Sequence, residues 1–277
     1  MPKKTIGLMG CGTIGTRLAL AVDSGSVANA SISGLFDILE GSARELKTRL
    51  KSSPQAFPNF ETFVDSEADI IIEAASQQAV KSFGKRIIQS GKDMMVMSVG
   101  ALADTTFLGE LLQLDPVRKG RTKIYVPSGA IAGIDAIRSI RHIADSITLT
   151  TKKSPKALAG APFFARRNVS LEDITKTTQI YEGSAAEAVK LFPANVNVAA
   201  VLSLAGIGVE KTKVRILADP QTTTNQHEIV ATGSFGDIKI SVNNIPAPEN
   251  PKTSFLAVLS AIECLRSICE DGIRIGS

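Results

Sequence analysis

The segment Thr5-Ile-Gly-Leu-Met-Gly-Cys-Gly-Thr-Ile-Gly15 is a short apolar run that opens into the pattern G-x-G-x-x-G, and it carries the strongest fold signal in the chain. A strand that turns into a helix through three such glycines builds a site for a pyrophosphate. Gly10 permits the tight turn, Gly12 lets the backbone approach the phosphates, and Gly15 lets the helix pack close to the strand. The N-terminal N–H groups of the new helix then face the anion.

The second predicted strand, Ala30–Asp37, supplies a further part of the same site, because it ends in an acid 22 residues after Gly15. A carboxylate at this place can accept hydrogen bonds from both ribose hydroxyls of the adenosine half, and its charge disfavours a 2′-phosphate. We therefore expect NAD as the cofactor, although nearby serine or lysine residues could still hold the extra phosphate of NADP. The alternative for Asp37 is a solvated turn residue or the N-cap of the next helix.

The composition is that of a soluble globular protein of one large or two smaller domains. The 277 residues are 44% hydrophobic and 21% charged, and the net charge of +4 is too small and dispersed to indicate nucleic acid. No apolar run reaches the ~18 residues of a bilayer span, and no signal-peptide core follows the N-terminus. Three cysteines without metal-ligand spacing fit a reducing cytoplasm. We expect a cytoplasmic protein with no metal, membrane or nucleic-acid partner.

The first half of the chain alternates strands and helices. Continuous apolar runs at Asp69–Ala75 and Asp93–Val99 are typical of strands buried on both faces of a parallel sheet, and Lys123–Pro127 is one more strand. Helices are predicted for Gly41–Ser52, Gln77–Gln89 and Thr105–Leu114. The pattern predicts a Rossmann-type, doubly wound α/β sheet, whose ligand lies at the carboxyl ends of the strands.

Several residues at these strand ends are candidates for cofactor contacts. Most of them are small, which leaves room for a flat ring and a backbone contact, but small residues also suit tight turns without any ligand. The candidates are Gly10, Gly12, Thr13, Ile14, Gly15, Asp37, Ala74, Ala75 and Ser98.

After about residue 130 the pattern changes to an alternation of apolar and polar residues. It runs through Asp145–Thr151, Lys213–Ala218 and Ile229–Val242, with a hairpin turn predicted at Phe235-Gly236-Asp237. Period-two alternation is typical of half-buried strands in an antiparallel or mixed sheet. The second half therefore predicts an α+β domain.

The helices of this half carry start signals. Ser184 and Glu187 form a capping box, and the last helix is predicted to have Asn250 as its cap and Pro251 in its first turn. Asn195 is the predicted N-cap of a further helix. The helix that follows the capping box is predicted over Ser184–Leu191, and the helix that Asn195 caps is predicted over Val196–Ala205.

These patterns divide the chain into two domains. A dinucleotide-binding domain covers residues 1–130, and an α+β domain covers residues 131–251. The last helix, within residues 252–277, carries an apolar stripe at i, i+3, i+4 spacing. We expect it to pack back on the first domain, and the alternative is that it covers the second sheet.

Only two histidines could exchange a proton near neutral pH. His142 follows a predicted helix and fits a helix end or the surface. His227 lies where a polar loop leads into a strand, so that its side chain can project into a cleft while its backbone is held. A structural role is the alternative for His227. No Ser-His-Asp order, HExxH pattern or CxxC pair indicates another mechanism.

Nine strings along the chain match one family. They are Gly10–Gly15, Glu73–Ser76, Ser98–Ala101, Pro127–Gly133, Thr150–Lys153, Phe192–Ala199, Asp219-Pro220, Asn225–Ile229 and Asn250–Ser254. Through these strings the chain resembles the L-aspartate dehydrogenase family over nearly its whole length.

The resemblance implies roles for individual residues. The histidine of the N-x-H-E-I string is the family's active-site residue, which here is His227, and the family's cofactor contacts carry over to Ala130 and Asn197. Asn195 is less suitable than Asn197, since it is needed as a helix cap. The family is homodimeric and cytoplasmic and uses NAD or NADP, which makes the second domain one for substrate and dimerisation. An extra loop is expected within Leu111–Thr122.

The implied reaction is oxidative deamination of L-aspartate through iminoaspartate to oxaloacetate and ammonia, in either direction, with a link to NAD biosynthesis left open. His227 would take a proton from the amine or from the attacking water. The two substrate carboxylates need cationic or multiple-donor partners. The candidates are Lys152, Lys153, Asn225, Thr253 and Ser254.

Other functions share this two-domain plan. Homoserine dehydrogenase and dihydrodipicolinate reductase have the same organisation, so the fold alone does not choose among them. Homoserine dehydrogenase would oxidise an alcohol, and the N-x-H-E-I string argues against it. A further alternative is an NAD-binding sensor without turnover, which would bind nucleotide but reduce none in the presence of amino acids.

Overall fold

The structure is a computed structural model that describes residues 3–167, 170–193, 197–247, 250–270 and 273. The chain divides into two compact units. Unit 1 comprises the described residues within Met1–Ala101, Thr105–Pro127 and Val258–Ile275. Unit 2 comprises the described residues within Leu102–Asp104 and Ser128–Ala257.

Unit 1 is built on a six-stranded parallel sheet in the order β3-β2-β1-β4-β5-β6. Its strands are β1 (Lys4–Met9), β2 (Ala30–Phe36), β3 (Gln55–Ala56), β4 (Ile70–Glu73), β5 (Asp93–Val96) and β6 (Ile124–Tyr125). The central strand β4 consists of buried residues only, which explains its continuous apolar sequence. This strand order is that of the Rossmann fold, so the predicted fold class is confirmed.

The helices of unit 1 follow their strands. They are α1 (Thr13–Asp23), α2 (Glu40–Arg49), α3 (Phe60–Val64), α4 (Gln77–Gln89), α5 (Thr105–Gln113) and α6 (Asp115–Arg118). A short 3₁₀ helix covers Val99–Ala103. The expected extra loop at Leu111–Thr122 is wrong for most of its length, because α5 and α6 occupy it and Asp115 forms ion pairs with Arg118 and Lys119.

Unit 2 is built on a five-stranded mixed sheet in the order β11-β10-β7-β9-β8. Its strands are β7 (Ala144–Lys153), β8 (Thr178–Ser184), β9 (Lys213–Ala218), β10 (Asn225–Gly233) and β11 (Gly236–Asn244). Alternate residues of β7, β9 and β10 are buried, as the period-two pattern predicts. The hairpin turn lies one residue earlier than predicted, because Gly236 already pairs with Gly233 and leaves Ser234 and Phe235 in the turn.

The helices of unit 2 are α7 (Ile134–Ile140), α8 (Pro155–Leu158), α9 (Pro162–Arg167), α10 (Ala185–Leu191) and α11 (Asn197–Ala205). The predicted cap of α10 is confirmed, since the Ser184 hydroxyl accepts a hydrogen bond from the Glu187 N–H. The predicted cap Asn195 lies outside the described residues.

The predicted start of the last helix is wrong. Asn250–Ser254 forms a strand, β13, which pairs antiparallel with β12 (Pro246–Ala247). The helix α12 begins only at Phe255 and runs to Cys269. Backbone pairing with β12 therefore overrides the local signal of an asparagine followed by a proline, and an edge position tolerates the proline.

Most of α12 belongs to unit 1. Its buried residues Ala261, Leu265 and Cys269 join the core that contains β1, β2 and α1. Two hydrogen bonds add to this packing: Arg266 Nε donates to the Ser26 carbonyl, and the Ala28 N–H donates to Glu270 Oε1. Unit 1 is therefore assembled from both ends of the chain.

Candidate active site

The glycine turn between β1 and α1 has little room on its protein side. Gly10 has a φ of +99°, and a Cβ there would lie 2.6 Å from the carbonyl group of Ala74. A Cβ on Gly15 would overlap the Gly10 carbonyl oxygen. Only glycine fits these two positions, because the turn and the start of the helix pack directly against backbone.

Gly12 is different, because a Cβ there would meet no protein atom within 4 Å. Its φ of −73° is open to any residue, so neither backbone strain nor packing requires a glycine. As the N-cap of α1, Gly12 also offers no side-chain acceptor to the N–H groups of Thr13 and Ile14 in the first turn. The turn thus leaves space and helix-end donors, which fits the pyrophosphate of a dinucleotide.

Asp37 ties the end of β2 to the glycine turn. One carboxylate oxygen accepts a 2.8 Å hydrogen bond from the Cys11 N–H, and the other accepts a 2.8 Å bond from the Leu39 N–H. The bond to Leu39 is a local turn of the kind that Asp favours, whereas the N-cap of α2 is Leu39 and not Asp37. Each oxygen keeps acceptor capacity for a ribose hydroxyl, because a carboxylate has about four acceptor positions.

Glu73, which begins one of the family strings but was given no role in the sequence analysis, holds together the ends of β4 and β5. The side chain is fully buried, and burial raises the pKa of its carboxyl group. Oε2 accepts from the Ser98 N–H at 2.9 Å, while Oε1 accepts from the Ser98 hydroxyl and the Ala75 N–H, both at 2.8 Å. Two predicted cofactor contacts, Ala75 and Ser98, are therefore fixed by one buried carboxyl group.

In unit 2 the predicted contact Ala130 lies in a loop with two glycines of positive φ, Gly129 at +68° and Gly133 at +70°. The buried Asn244 donates from Nδ2 to the Ala130 carbonyl at 2.9 Å. Asn244 pairs with Asn225 across β10 and β11. Sequence reasoning missed Asn244, because its position depends on the register of two strands.

His227 lies on β10, directly opposite Thr151 of β7. Its Nδ1 atom and the Thr151 hydroxyl oxygen are 3.0 Å apart, and both residues are buried. Burial lowers the pKa of His227 to about 3, with a further contribution from the positive charge of Lys153. The imidazole is therefore neutral at pH 7.

The two candidate lysines lie on opposite faces of β7. Lys153 shares the buried face with Thr151, and burial lowers the pKa of its ammonium group to about 8. Lys152 lies on the other face and pairs with Asp219 at 3.5 Å. Strand alternation thus brings Lys153, and not Lys152, to the histidine.

The structure also describes four further candidates, of which Asn225 and Ser254 contact each other. Asn225, two residues before His227 on β10, is buried and donates from Nδ2 to the Ser254 hydroxyl at 3.4 Å. Thr253 is half-buried beside it, and Asn197 is the first residue of α11. We call Thr151, Lys153, Asn225, His227 and Ser254 the histidine cluster.

The described residues contain no group of three or more His, Cys, Asp or Glu residues that could hold a metal ion. Among their helices, none combines the length and hydropathy that crossing a bilayer requires.

The strand order, the glycine turn and the histidine cluster define a two-domain dehydrogenase of the Rossmann class. Residues 10–127 match the family described as homoserine dehydrogenase, NAD binding domain, and residues 135–268 match the family described as aspartate dehydrogenase, C-terminal. The chain belongs to the L-aspartate dehydrogenase family.

Relatives from two organisms support this assignment over the full length. The L-aspartate dehydrogenase of Nitrosopumilus maritimus (strain SCM1) is 46% identical over 274 residues, covering 99% of this chain and 100% of the relative. That of Methanosarcina barkeri (strain Fusaro / DSM 804) is 48% identical over 273 residues, covering 98% and 99%. The crystal structure of aspartate dehydrogenase from Thermotoga maritima superposes with a TM-score of 0.76 at 28% identity and covers 99% of each chain.

Proposed function

We propose that this protein is an NAD-dependent L-aspartate dehydrogenase. In the overall reaction L-aspartate, NAD⁺ and water give oxaloacetate, ammonium, NADH and a proton, and the reverse reaction makes L-aspartate. The observation that carries the proposal is the neutral His227 beside the buried Lys153, in a chain nearly half identical from end to end to proteins named L-aspartate dehydrogenase. A homodimer of two such chains, as the resemblance implies, stays a prediction.

Unit 1 supplies the cofactor side of the reaction. The first-turn N–H groups of α1 would bind the pyrophosphate above Gly12, and Asp37 would accept the ribose hydroxyls. The next two residues, Ile38 and Leu39, are exposed and apolar, so they offer no cation to a 2′-phosphate. We therefore favour NAD over NADP.

The nicotinamide end of the cofactor would meet the remaining predicted contacts of unit 1. Ala74, Ala75 and Ser98 lie at the ends of β4 and β5, where Glu73 holds the last two in place. Ala130 and Asn197 are the contacts that the family resemblance proposes in unit 2. When bound, the nicotinamide ring accepts a hydride from Cα of the substrate.

The histidine cluster supplies the substrate side. Lys153 would attract one substrate carboxylate, with the amide of Asn225 and the hydroxyls of Thr253 and Ser254 as further donors. His227 would accept the proton that the substrate ammonium group must lose before hydride can leave Cα. A carboxylate bound at Lys153 would offset its charge and raise the pKa of His227, because an opposite charge nearby favours the imidazolium form.

The experiment that tests the function is the absorbance at 340 nm of purified protein with NAD or NADP and a panel of L-aspartate, L-glutamate, L-alanine and L-homoserine. We expect reduction with L-aspartate and faster reduction of NAD than of NADP. Reduction with L-homoserine instead would transfer the assignment to homoserine dehydrogenase. Nucleotide binding without any reduction would favour a sensor.

A variant of the proposed base gives the sharpest control. His227→Ala should lower kcat by about 10²–10⁴, because a general base contributes on that scale. NAD affinity should stay within about twofold, since the predicted pyrophosphate and ribose contacts lie in unit 1. The matched control is His142→Ala, at an exposed histidine. Full activity of His227→Ala would exclude His227 as the base.

A further inference from the structure

Thr151 is the described residue that contacts the Nδ1 atom of His227. The two residues face each other in register on the antiparallel pair β7 and β10, with 3.0 Å between Thr151 Oγ1 and His227 Nδ1. Thr151 is 1% exposed and His227 is 3% exposed. Water therefore has little access to compete for this hydrogen bond, and the bond restrains rotation of the ring.

The bond also bears on the proton of the imidazole. A neutral imidazole carries one proton, so one ring nitrogen donates and the other accepts. A hydroxyl group can play either part toward Nδ1. If Thr151 accepts from Nδ1–H, Nε2 keeps its lone pair; if Thr151 donates, Nε2 carries the proton and cannot act as a base.

The proposed reaction needs the first arrangement. We infer that Thr151 is a positioning residue whose hydroxyl oxygen accepts the Nδ1 proton of His227 and so keeps Nε2 free to take a proton from the substrate. This inference rests on the proposed function for its catalytic meaning, but the tautomer is a property of the protein alone. Because burial keeps His227 neutral at pH 7, one tautomer should predominate.

The tautomer can be measured directly in the ligand-free protein. The chain contains two histidines, so ¹⁵N-histidine labelling gives few signals, and a His142→Gln variant assigns those of His227. We expect a pyrrole-type shift for Nδ1 and a pyridine-type shift for Nε2 at pH 7. The opposite pattern in the wild-type protein would overturn the inference without recourse to any variant of Thr151.

Two substitutions of Thr151 distinguish the effect of its hydroxyl group from the effect of its side-chain shape. Thr151→Val keeps the branched shape and removes the hydroxyl, whereas Thr151→Ser keeps the hydroxyl and removes the methyl group. We expect a mixture of tautomers in Thr151→Val and the wild-type pattern in Thr151→Ser. An unchanged ¹⁵N spectrum in Thr151→Val would contradict the inference.

The same pair of variants tests the catalytic consequence. Thr151→Val should lower kcat about 10- to 100-fold, less than loss of the base itself, while NAD affinity stays unchanged. Thr151→Ser should keep kcat within about threefold. Equal losses in both variants would indicate packing alone and overturn the positioning role. If Thr151→Val does not fold, the wild-type spectrum and Thr151→Ser still decide.

Failure of the proposed function has a different signature. In that case the wild-type protein would not reduce NAD with L-aspartate, or His227→Ala would keep full activity. The ¹⁵N spectrum would still report whether Thr151 sets the tautomer of His227.

Discussion

At the scale of single residues, the histidine cluster contains two buried basic side chains, Lys153 and His227. Protonating both a lysine and a histidine on one buried face of a sheet is unfavourable in free energy, because burial destabilises each charge and the two charges repel. The pKa values are accordingly lowered, to about 8 for Lys153 and about 3 for His227. The largest cause of both lowered pKa values is the same, the burial of the two basic groups.

The lowered pKa of His227 predicts how stability depends on pH. Between pH 6.5 and about 3 the unfolded chain binds a proton at this histidine and the folded protein does not, so the free energy of unfolding falls as the pH falls through this window. From pH 7 to pH 5 the contribution is about 2 kcal/mol, because pH 5 lies ~1.5 pH units below the unfolded pKa of about 6.5 and each pH unit contributes about 1.4 kcal/mol.

Urea denaturation of the wild-type protein and of His227→Gln, each at pH 7 and pH 5, measures this contribution. We expect the loss of stability at pH 5 to be about 2 kcal/mol smaller in the variant. The exposed His142→Gln substitution serves as the control and should leave the wild-type loss unchanged. Equal losses in wild type and His227→Gln would mean that His227 binds its proton as readily in the folded state as in the unfolded chain.

At the scale of elements, the segment from β1 to α1 contains two glycines that the fold requires and one, Gly12, for which we propose a role in binding the cofactor. Gly10 and Gly15 have no room for a side chain, whereas Gly12 faces open space. Gly12→Ala should therefore fold with a loss of less than about 1 kcal/mol, since the change affects only a helix N-cap. The added methyl group should weaken NAD binding at least about tenfold, a loss of about 1.4 kcal/mol.

Isothermal titration with NAD, together with a thermal melt, tests this separation. Gly15→Ala is the contrasting variant, because its methyl group would overlap the Gly10 carbonyl and should destabilise the protein itself. Unchanged NAD affinity in Gly12→Ala would place the pyrophosphate elsewhere.

At the scale of the whole molecule, unit 1 is completed by a helix from the far end of the chain. Leu265 of α12 is fully buried in the core of unit 1, and Leu259 of the same helix is 45% exposed. Leu265→Ala should cost about 2–5 kcal/mol, because it removes buried methyl groups and leaves a cavity. Leu259→Ala, the matched control, should cost less than about 1 kcal/mol.

Chemical denaturation of both variants measures these losses, and NAD titration of the folded protein reports on the glycine turn. A small loss in Leu265→Ala would mean that α12 contributes little to unit 1. A loss in Leu259→Ala as large as in Leu265→Ala would mean that the exposed face of α12 is covered in solution.

The local features of this protein could be predicted from its amino-acid sequence alone. The glycine turn, the buried parallel strands, the alternating strands of the second half and the Ser184 cap depend on residues close together in the chain, so periodicity and turn chemistry predict them. His227 could be singled out because the chain has only two histidines and a family string surrounds one of them.

The contacts around these local features could not be predicted and became known from the three-dimensional structure. Strand register places Thr151 opposite His227 and Asn244 opposite Asn225. Strand alternation puts Lys153, and not Lys152, on the buried face that carries His227. Pairing of β13 with β12 replaced the predicted helix start at Asn250. These outcomes depend on contacts between residues that are distant in the sequence. The free energy of such contacts comes from burial and hydrogen bonding in the assembled core, so a local sequence pattern does not predict them.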